Sequence, residues 1–230
     1  MARAAGSNEL FVSESEGNRI RKIDFSATPP QVSTLASGFN KPRGVSINGT
    51  DTTFLAVADS LNHVIRRVHT VTGDASTIAG TDPGAASTSG GDVDGIGTNA
   101  RFNEPFDVAF ANNDLLVADL ANKKLRLITA TGADYQVSTV SVFTTGPRGV
   151  AVGPDGSFVL VACEDAIYKV TNFRSSALVN PLTLAGGTYG TADGNGLAAG
   201  FQKPSGLMLT PDGNSVLIAG VASHRVRELR

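Results

Sequence analysis

Hydrophobic and polar positions along the chain follow one pattern that returns five times. A short apolar run, in most copies ending in an acidic residue, leads into a polar turn and then into a segment that alternates basic with apolar side chains. The copies occupy residues 12–23, 57–68, 117–128, 161–170 and 218–229. Short β-branched runs and period-two alternation predict pairs of β-strands, and no segment has the apolar spacing of three and four that predicts a helix.

Two further markers place one more strand on each side of these pairs. A proline precedes four of the apolar runs by 12 to 15 residues: Pro42, Pro105, Pro147 and Pro204. Proline suits the first residue of a strand, because its missing N–H costs nothing there. Short β-branched runs follow the alternating segments at residues 32–35, 76–78, 137–140 and 182–184. Each unit therefore has four strands, named a (proline-led), b (apolar), c (alternating) and d (β-branched).

The order and polarity of these strands predict the fold class. Strands a and b are almost wholly apolar and should be buried on both faces, strand c should expose one face, and strand d should lie outermost. The copies start 45, 60, 44 and 57 residues apart, and a step of about 40–45 residues suits a four-stranded propeller blade. Gly-rich insertions at residues 81–97 and 187–196 account for the long steps. We predict an all-β chain, a single β-propeller domain over residues 1–230 with about five four-stranded blades.

The repeated segments resemble those of the NHL repeat family. Residues 57–68, Val-Ala-Asp-Ser-Leu-Asn-His-Val-Ile-Arg-Arg-Val, are similar to the core signature of that family. Residues 94–105 and 193–204 share the pattern Asp-Gly-x-Gly-x-x-Ala-x-Phe-x-x-Pro, which resembles the lead of a longer variant of the repeat. The fourth and fifth copies depart from the signature, since Cys163 with Glu164 and Gly220 replace the Ala-Asp pairing. The resemblance implies a propeller, usually of six blades, that serves as a scaffold for protein or RNA partners.

The strand count leaves the closure of the propeller open. The pattern predicts 18 strands, with no strand a in the first blade and no strand d in the fifth. A closed ring usually joins its ends within one blade, because an unpaired edge strand is exposed. The chain is then either a five-bladed ring with thin terminal blades or a fragment of a six-bladed ring, and we slightly favour the fragment or an open arc.

Composition and charge exclude some partners. The net charge of −2 gives no overall basic field that would attract DNA or an anionic membrane. Cys163 is the only cysteine, so no intrachain disulfide can form. The N-terminal segment has no apolar stretch of signal-peptide length, and the longest apolar runs fall far below the roughly 20 residues of a spanning helix. We expect a soluble chain without DNA or membrane partners, and its compartment stays undetermined.

One group of residues is the candidate binding surface, which we call the proline rim. These residues flank the prolines that begin strand a, where loops in propellers converge and often bind ligands. Arg43 and Arg148 occupy the same position in different blades. The full set is Lys41, Arg43, Glu104, Phe106, Arg148, Lys203 and Ser205. A purely structural interpretation, in which these are solvated turn residues, competes with this one.

Other motifs favour a structural interpretation. The residues 95–100 match a dinucleotide fingerprint, but no helix follows to hold a phosphate. Glu14, Asp59 and Asp119 end strand b in successive copies, and repeated carboxylates are expected to accept hydrogen bonds in their own turns rather than to bind metal. His63 and His224 occupy equivalent turns in different blades, which argues against one zinc site. The basic residues of strand c are expected to form a solvated face. We predict no catalytic residue, metal ligand or cofactor.

Three functional hypotheses follow, with the first one favoured. The chain is a non-catalytic scaffold that binds a protein or peptide over the proline rim. Alternatively it is a metal-dependent hydrolase or lyase of propeller type, or it binds RNA through the basic residues of the rim, which would make affinity steeply dependent on salt.

Overall fold

The computed structural model describes residues 1–81, 89–210 and 212–230, so most of the first half of the insertion at 81–97 lies outside the described residues. The chain divides into two compact units. Unit one comprises residues 1–117 and 128–138, and unit two comprises residues 118–127 and 139–230.

Five antiparallel sheets repeat the predicted order of strands. The first sheet has the order β1-β2-β3, with β1 (Glu9–Glu14), β2 (Arg19–Asp24) and β3 (Gln31–Ser37). The second has the order β4-β5-β6-β7, with β4 (Pro42–Ile47), β5 (Phe54–Asp59), β6 (Val64–His69) and β7 (Ala75–Ala79). The third has the order β8-β12-β11-β10-β9, with β8 (Gly95–Ile96), β9 (Pro105–Ala111), β10 (Asp114–Asp119), β11 (Lys124–Thr131) and β12 (Asp134–Val142).

The last two sheets continue the series. The fourth has the order β13-β14-β15-β16, with β13 (Gly149–Val152), β14 (Phe158–Ala162), β15 (Ala166–Thr171) and β16 (Leu182–Gly186). A two-residue parallel pair follows, formed by β17 (Thr188–Tyr189) and β18 (Gly200–Phe201). The fifth sheet has the order β19-β20-β21, with β19 (Pro204–Leu209), β20 (Val216–Gly220) and β21 (Arg225–Leu229).

The arrangement confirms the predicted fold class, an all-β β-propeller with five blades. Apart from the two-residue strands β8, β17 and β18, the described residues form 18 strands, which is the predicted number, at the predicted places. No α-helix occurs among the described residues, only short 3-10 turns at Ser60–Asn62, Gly97–Asn99 and Gly196–Ala198. In the described part of the chain, no helix has the length and apolar character needed to cross a membrane.

Burial follows the predicted pattern for strands b and d and departs from it for strand a. Strand b is buried almost throughout, as in β5 and β10, and strand d is the most exposed in the first sheet. Strand a was expected to be buried on both faces, but β4 and β19 are largely half-buried or exposed. The physical reason is its position, because strand a lies at the edge of each sheet and has a paired neighbour on one side only.

The Asp-Gly-rich leads owe their shared pattern to core packing. In unit one, a 3-10 turn at Gly97–Asn99 precedes Ala100 and Phe102, which are completely buried in an apolar cluster with Val108 and Val117. In unit two, the turn at Gly196–Ala198 precedes Ala199 and Phe201, which pack with Ile218. The alanine and phenylalanine of the motif therefore anchor the lead before the proline begins strand a.

Candidate functional site

The proline rim in unit one forms where strand a begins and strand b ends. Pro42 of β4 lies opposite Asp59 of β5, so the proline of one strand and the acid of the next lie side by side. Gly44 then permits a close approach between β4 and β9. A Cβ atom at Gly44 would lie 2.5 Å from the Cα of Asp107 and 2.8 Å from the backbone nitrogen of Val108. The glycine of the Pro-Arg-Gly marker thus lets the first residues of β4 and β9 pack against each other. These two strands are the strands a of neighbouring blades.

This close approach places two of the predicted rim residues in contact. The guanidinium of Arg43 stacks on the ring of Phe106, with its central carbon 4.4 Å from the ring centroid. Arg43 is exposed and Phe106 is half-buried. Stacking on the ring restricts the rotamers of the guanidinium and adds a cation–π attraction. Unit one therefore presents an oriented positive charge above an aromatic face.

The other two rim residues of unit one are held by their turns. Lys41 forms an ion pair with Glu16, and its backbone N–H donates to Oδ1 of Asn18 at 2.8 Å. The backbone N–H of Glu104 donates to Nδ1 of His63 at 3.0 Å. Lys41 and Glu104 both have a left-handed backbone with φ of 53°. Their main chains thus shape the entry to strand a, and the Arg43–Phe106 pair is the projecting part of this rim.

In unit two, the remaining rim residues gather around Glu164. Nη2 of Arg148 lies 3.2 Å from Oε1 of Glu164, and the backbone N–H of Lys203 donates to the Glu164 carbonyl oxygen at 2.8 Å. Ser205 lies next to Gly149, where a Cβ atom would collide with the Ser205 carbonyl oxygen. Arg148 is less exposed than its counterpart Arg43, with 19% of its side chain accessible. The arginine at this sequence position is therefore largely covered in unit two and exposed in unit one.

The repeated acids accept hydrogen bonds from the turns around them. Their donors include side chains as well as the expected backbone N–H groups. Asp59 accepts from the backbone N–H of Asn40 at 2.7 Å and from the amide of Asn62 at 2.9 Å. Its carboxylate is fully buried, and this burial raises the pKa of Asp59, while the hydrogen bond from Asn40 acts against the rise. Arg66 of strand c completes the group at 3.6 Å. The acid, the asparagine and the arginine form one structural unit within the blade.

The expectation that the strand c arginines form a solvated face is wrong for Arg66 and Arg126, whereas Arg225 is exposed as expected. Arg126 is completely buried, and its Nη1 contacts Oδ2 of Asp119 at 3.0 Å. Arg66 donates to the Gly38 carbonyl oxygen at 2.9 Å and stacks on Phe39, which belongs to the loop before strand a. Arg66 and Arg126 turn inward because the lead loop and the strand b acid together offer them carbonyl and carboxylate acceptors.

The histidines and the cysteine occupy structural positions. His63 and His224 both have a left-handed backbone, with φ of 58° and 52°, at the turn between strands b and c. Burial lowers the pKa of His63, and the nearby Glu104 carboxylate opposes that shift. Cys163 is buried, and the burial raises the pKa of its thiol. Within the described residues, no group of three or more His, Cys, Asp or Glu side chains is arranged to hold a metal ion.

A further feature of unit one is not signalled by any motif. A cavity of about 440 Å³ lies near the turns between strands a and b of the second and third sheets. These are the ends of the two sheets that face away from the proline rim. The cavity is lined by segments that are far apart in sequence, so neither periodicity nor spacing could have predicted it.

Comparisons with known proteins place the chain among repeat proteins. No family model matches it. It is 26% identical over 220 residues to the chloroplastic protein SUPPRESSOR OF QUENCHING 1 of Arabidopsis thaliana, a match covering 84% of this chain and 20% of that protein. It is 32% identical over 143 residues to NHL repeat-containing protein 2 of Homo sapiens, covering 55% of this chain and 20% of that protein. The matches thus span about a fifth of the length of these relatives.

Solved structures share the fold at low identity. An auxiliary nutrient binding protein from Bacteroides thetaiotaomicron superposes with a TM-score of 0.73 at 13% identity, over 96% of this chain and 52% of that one. A chain of a nidogen/laminin complex gives 0.69 at 14% identity, over 97% and 74%. A gluconolactonase from Xanthomonas campestris gives 0.63 at 15% identity, over 95% and 81%. These neighbours differ in described role, so the likeness concerns architecture alone.

Proposed function

We propose that this β-propeller, whose repeats are similar to part of NHL repeat-containing protein 2, is a non-catalytic scaffold that binds a protein partner. The binding surface is the unit-one part of the proline rim, and the partner presents a short segment with a carboxylate beside an apolar side chain. The observation that carries the proposal is the stack of exposed Arg43 on Phe106.

The chemistry of this stack matches what protein interfaces use. Arginine and aromatic side chains are enriched among the residues that dominate binding energy. Because the ring of Phe106 already restricts Arg43, less side-chain entropy is lost when a partner carboxylate engages the guanidinium. Such a contact can be bidentate, which adds geometric selectivity. The exposed part of the ring supplies an apolar surface next to the charge.

Exposure points to the same choice of surface. Arg43 is exposed, whereas Arg148 contacts Glu164 at 3.2 Å and has only 19% of its side chain accessible. We therefore assign the main binding contribution to Arg43 and Phe106, and a minor one to Arg148, Lys203 and Ser205. The nidogen/laminin structure provides a precedent for this fold within a protein complex.

The test is a peptide selection followed by affinity measurement. A displayed random-peptide library is selected against the wild-type protein, and the recovered peptides are measured by fluorescence anisotropy against Arg43→Glu and Phe106→Leu. We expect acidic–aromatic or acidic–aliphatic peptides whose affinity falls about tenfold or more in Arg43→Glu, because an attractive charge pair becomes repulsive. Arg174→Glu is the matched control, since Arg174 is also exposed and stacks at 4.4 Å on Phe173 but contacts the turn between strands a and b at Gly156 rather than the proline rim.

Results of other kinds would favour the alternative hypotheses. Equal affinity in Arg43→Glu and Arg174→Glu would contradict binding at this surface. Capture of RNA with a steep dependence on salt would instead favour the RNA hypothesis. Turnover of a lactone or ester that depends on added divalent metal would favour the hydrolase hypothesis.

A further inference from the structure

The cavity of unit one lies between the second and third sheets, at the ends opposite to the proline rim. It has a volume of about 440 Å³, and small-molecule sites range from about 300 to 1,000 Å³. Two contacts between the sheets hold its walls. The backbone N–H of Phe110 donates to Oγ of Ser46 at 3.2 Å, and the amide of Asn48 donates to Oδ1 of Asn113 at 3.3 Å. The cavity is therefore built into the packing of two blades.

Arg67 supplies a positive charge to this cavity. Its guanidinium carbon lies 3.8 Å from the ring centroid of Phe54, which is the shortest such stack among those described. Arg67 is half-buried and lines the cavity. Within the described residues, its guanidinium has no hydrogen bond and no ion pair. This sets it apart from Arg66 and Arg126, whose donors are used inside their blades.

The rest of the lining is mainly aromatic and aliphatic. Phe54, Phe110 and Tyr135 contribute rings, and Ile78 and Leu115 contribute aliphatic surface. The Tyr135 hydroxyl makes no hydrogen bond with any described residue, although the side chain is half-buried. Rings on several walls favour a flat apolar ligand, because stacked and edge-on contacts add to the burial of apolar area. The donors of Arg67 and Tyr135 favour an acceptor on that ligand.

One acid near the cavity limits the charge that the ligand can carry. Asp51 lines the cavity, and its carboxylate accepts from the backbone N–H of Thr53 at 3.0 Å and from the Thr53 hydroxyl. The hydroxyl of Thr53 and its backbone N–H lower the pKa of Asp51, so the residue stays negative at neutral pH. A second negative charge on a ligand would meet this carboxylate. The site therefore suits one negative charge directed at Arg67.

We propose that this cavity is a binding site for small aromatic monocarboxylates, with the carboxylate on the Arg67 guanidinium and the ring system between Phe54, Phe110 and Tyr135. The site is separate from the proline rim and does not depend on the function proposed for it. The carboxylate forms an ion pair with Arg67 through two acceptor oxygens, whereas a neutral amide of the same shape offers one carbonyl oxygen and no charge.

The experiment compares two probes of nearly equal shape, 2-naphthoate and 2-naphthamide, by isothermal titration calorimetry and ligand-observed NMR. We expect saturable binding of 2-naphthoate, with an affinity about tenfold above that of 2-naphthamide, since only the carboxylate can form a two-oxygen ion pair with the guanidinium. Arg67→Gln should remove the preference for the carboxylate and leave weak binding of both probes. Ala130→Trp, at an exposed position of the lining, should block both.

Arg3→Gln is the matched control, because Arg3 also lies over a phenylalanine ring, Phe25, but does not line the cavity. It should bind both probes as the wild type does. Naphthalene-1,4-dicarboxylate should bind more weakly than 2-naphthoate because of Asp51. Absence of saturable 2-naphthoate binding at millimolar concentration, or a carboxylate preference that persists in Arg67→Gln, would overturn the proposal.

Discussion

The second and fifth repeats perform the same local task with different residues. In the second, Asp59 is buried with Asn62 and Arg66, and the arginine also binds the Gly38 carbonyl oxygen. In the fifth, Gly220 stands where the acid would be, opposite Pro204 as Asp59 is opposite Pro42.

The equivalent arginine of the fifth repeat keeps its inward position without a strand b acid. Arg227 donates to the carbonyl oxygens of Gly200 and Ala192 and pairs at 2.8 Å with Asp193 of the lead. It stacks on Phe201 at 4.7 Å, as Arg66 stacks on Phe39 at 4.8 Å. In both repeats the arginine therefore binds the loop before strand a. Its charge is balanced by the strand b acid in the second repeat and by an acid of the lead in the fifth.

The largest effect is expected where the acid and its arginine are both fully buried. Asp119 and Arg126 of the third repeat are both fully buried and 3.0 Å apart. Asp119→Leu should lower the free energy of unfolding by about 3–5 kcal/mol, because it leaves a charged guanidinium in the interior without its carboxylate. Urea denaturation followed by circular dichroism measures this. The double variant Asp119→Leu with Arg126→Met should recover most of the loss, and a double variant as unstable as the single one would show that packing, not charge, is responsible.

An acid introduced at the equivalent position of the fifth repeat should stabilise the protein. Gly220→Asp should raise the free energy of unfolding by about 1 kcal/mol, since glycine inside a strand is costly and the new carboxylate can reach Arg227. The new Cβ would meet the Ser223 hydroxyl, so the variant is made together with Ser223→Ala. Thermal denaturation compares it with Gly220→Ala in the same background. If the alanine stabilises as much as the aspartate, the acid adds nothing at this position.

The histidines of the two repeats should respond differently to pH. Nδ1 of His63 accepts the Glu104 N–H, whereas His224 is exposed. The folded-state pKa of His63 is lowered by burial, so its contribution to stability is complete above the unfolded pKa of about 6.5 and is lost as pH falls through the folded value. Because His63 is only partly buried, solvent screening keeps this loss small.

The measurement is denaturation of wild type, His63→Asn and His224→Asn between pH 7.5 and about pH 5. Only His63→Asn should flatten the fall in stability on the acid side. An equal change in His224→Asn would mean that the hydrogen bond to Glu104 is not the cause.

The smallest effect is expected for the lead acid of the fifth repeat. Asp193 is largely exposed although its partner Arg227 is not. Asp193→Ala should cost no more than about 0.5 kcal/mol, because an exposed ion pair gains little over hydrated charges. In a protein that already carries Gly220→Asp, Asp193→Ala should lower the free energy of unfolding by a smaller amount. A loss comparable with that of Asp119→Leu would reverse the proposed ranking of the two ways to balance the arginine.

The strands were predictable because each has a local signal. Proline, the apolar run, the alternating segment and the β-branched run lie next to one another in sequence and in the sheet, so the pattern was sufficient to place 18 strands. The inward direction of Arg126 was not predictable from alternation. Alternation shows that two faces differ, but it does not show that a loop and an acid cover one of them.

The candidate sites were predictable only in part. The equivalence of Arg43 and Arg148 could be deduced from their shared Pro-Arg-Gly sequence, but the different environments of the two could not. One depends on Phe106 and the other on Glu164, and each partner comes from another part of the chain. The cavity beside Arg67 is lined by residues 48–56, 67, 78, 110–115 and 128–135, so it could be found only from coordinates.

Binding of a protein segment at Arg43 and Phe106 is best tested by hydrogen–deuterium exchange of the protein with and without a selected peptide. We expect slower exchange in residues 41–46 and 104–109 in the wild type, and no such protection in Arg43→Glu at the same peptide concentration. Protection confined to the ends of the sheets that line the cavity, or protection of the proline rim that survives in Arg43→Glu, would contradict it.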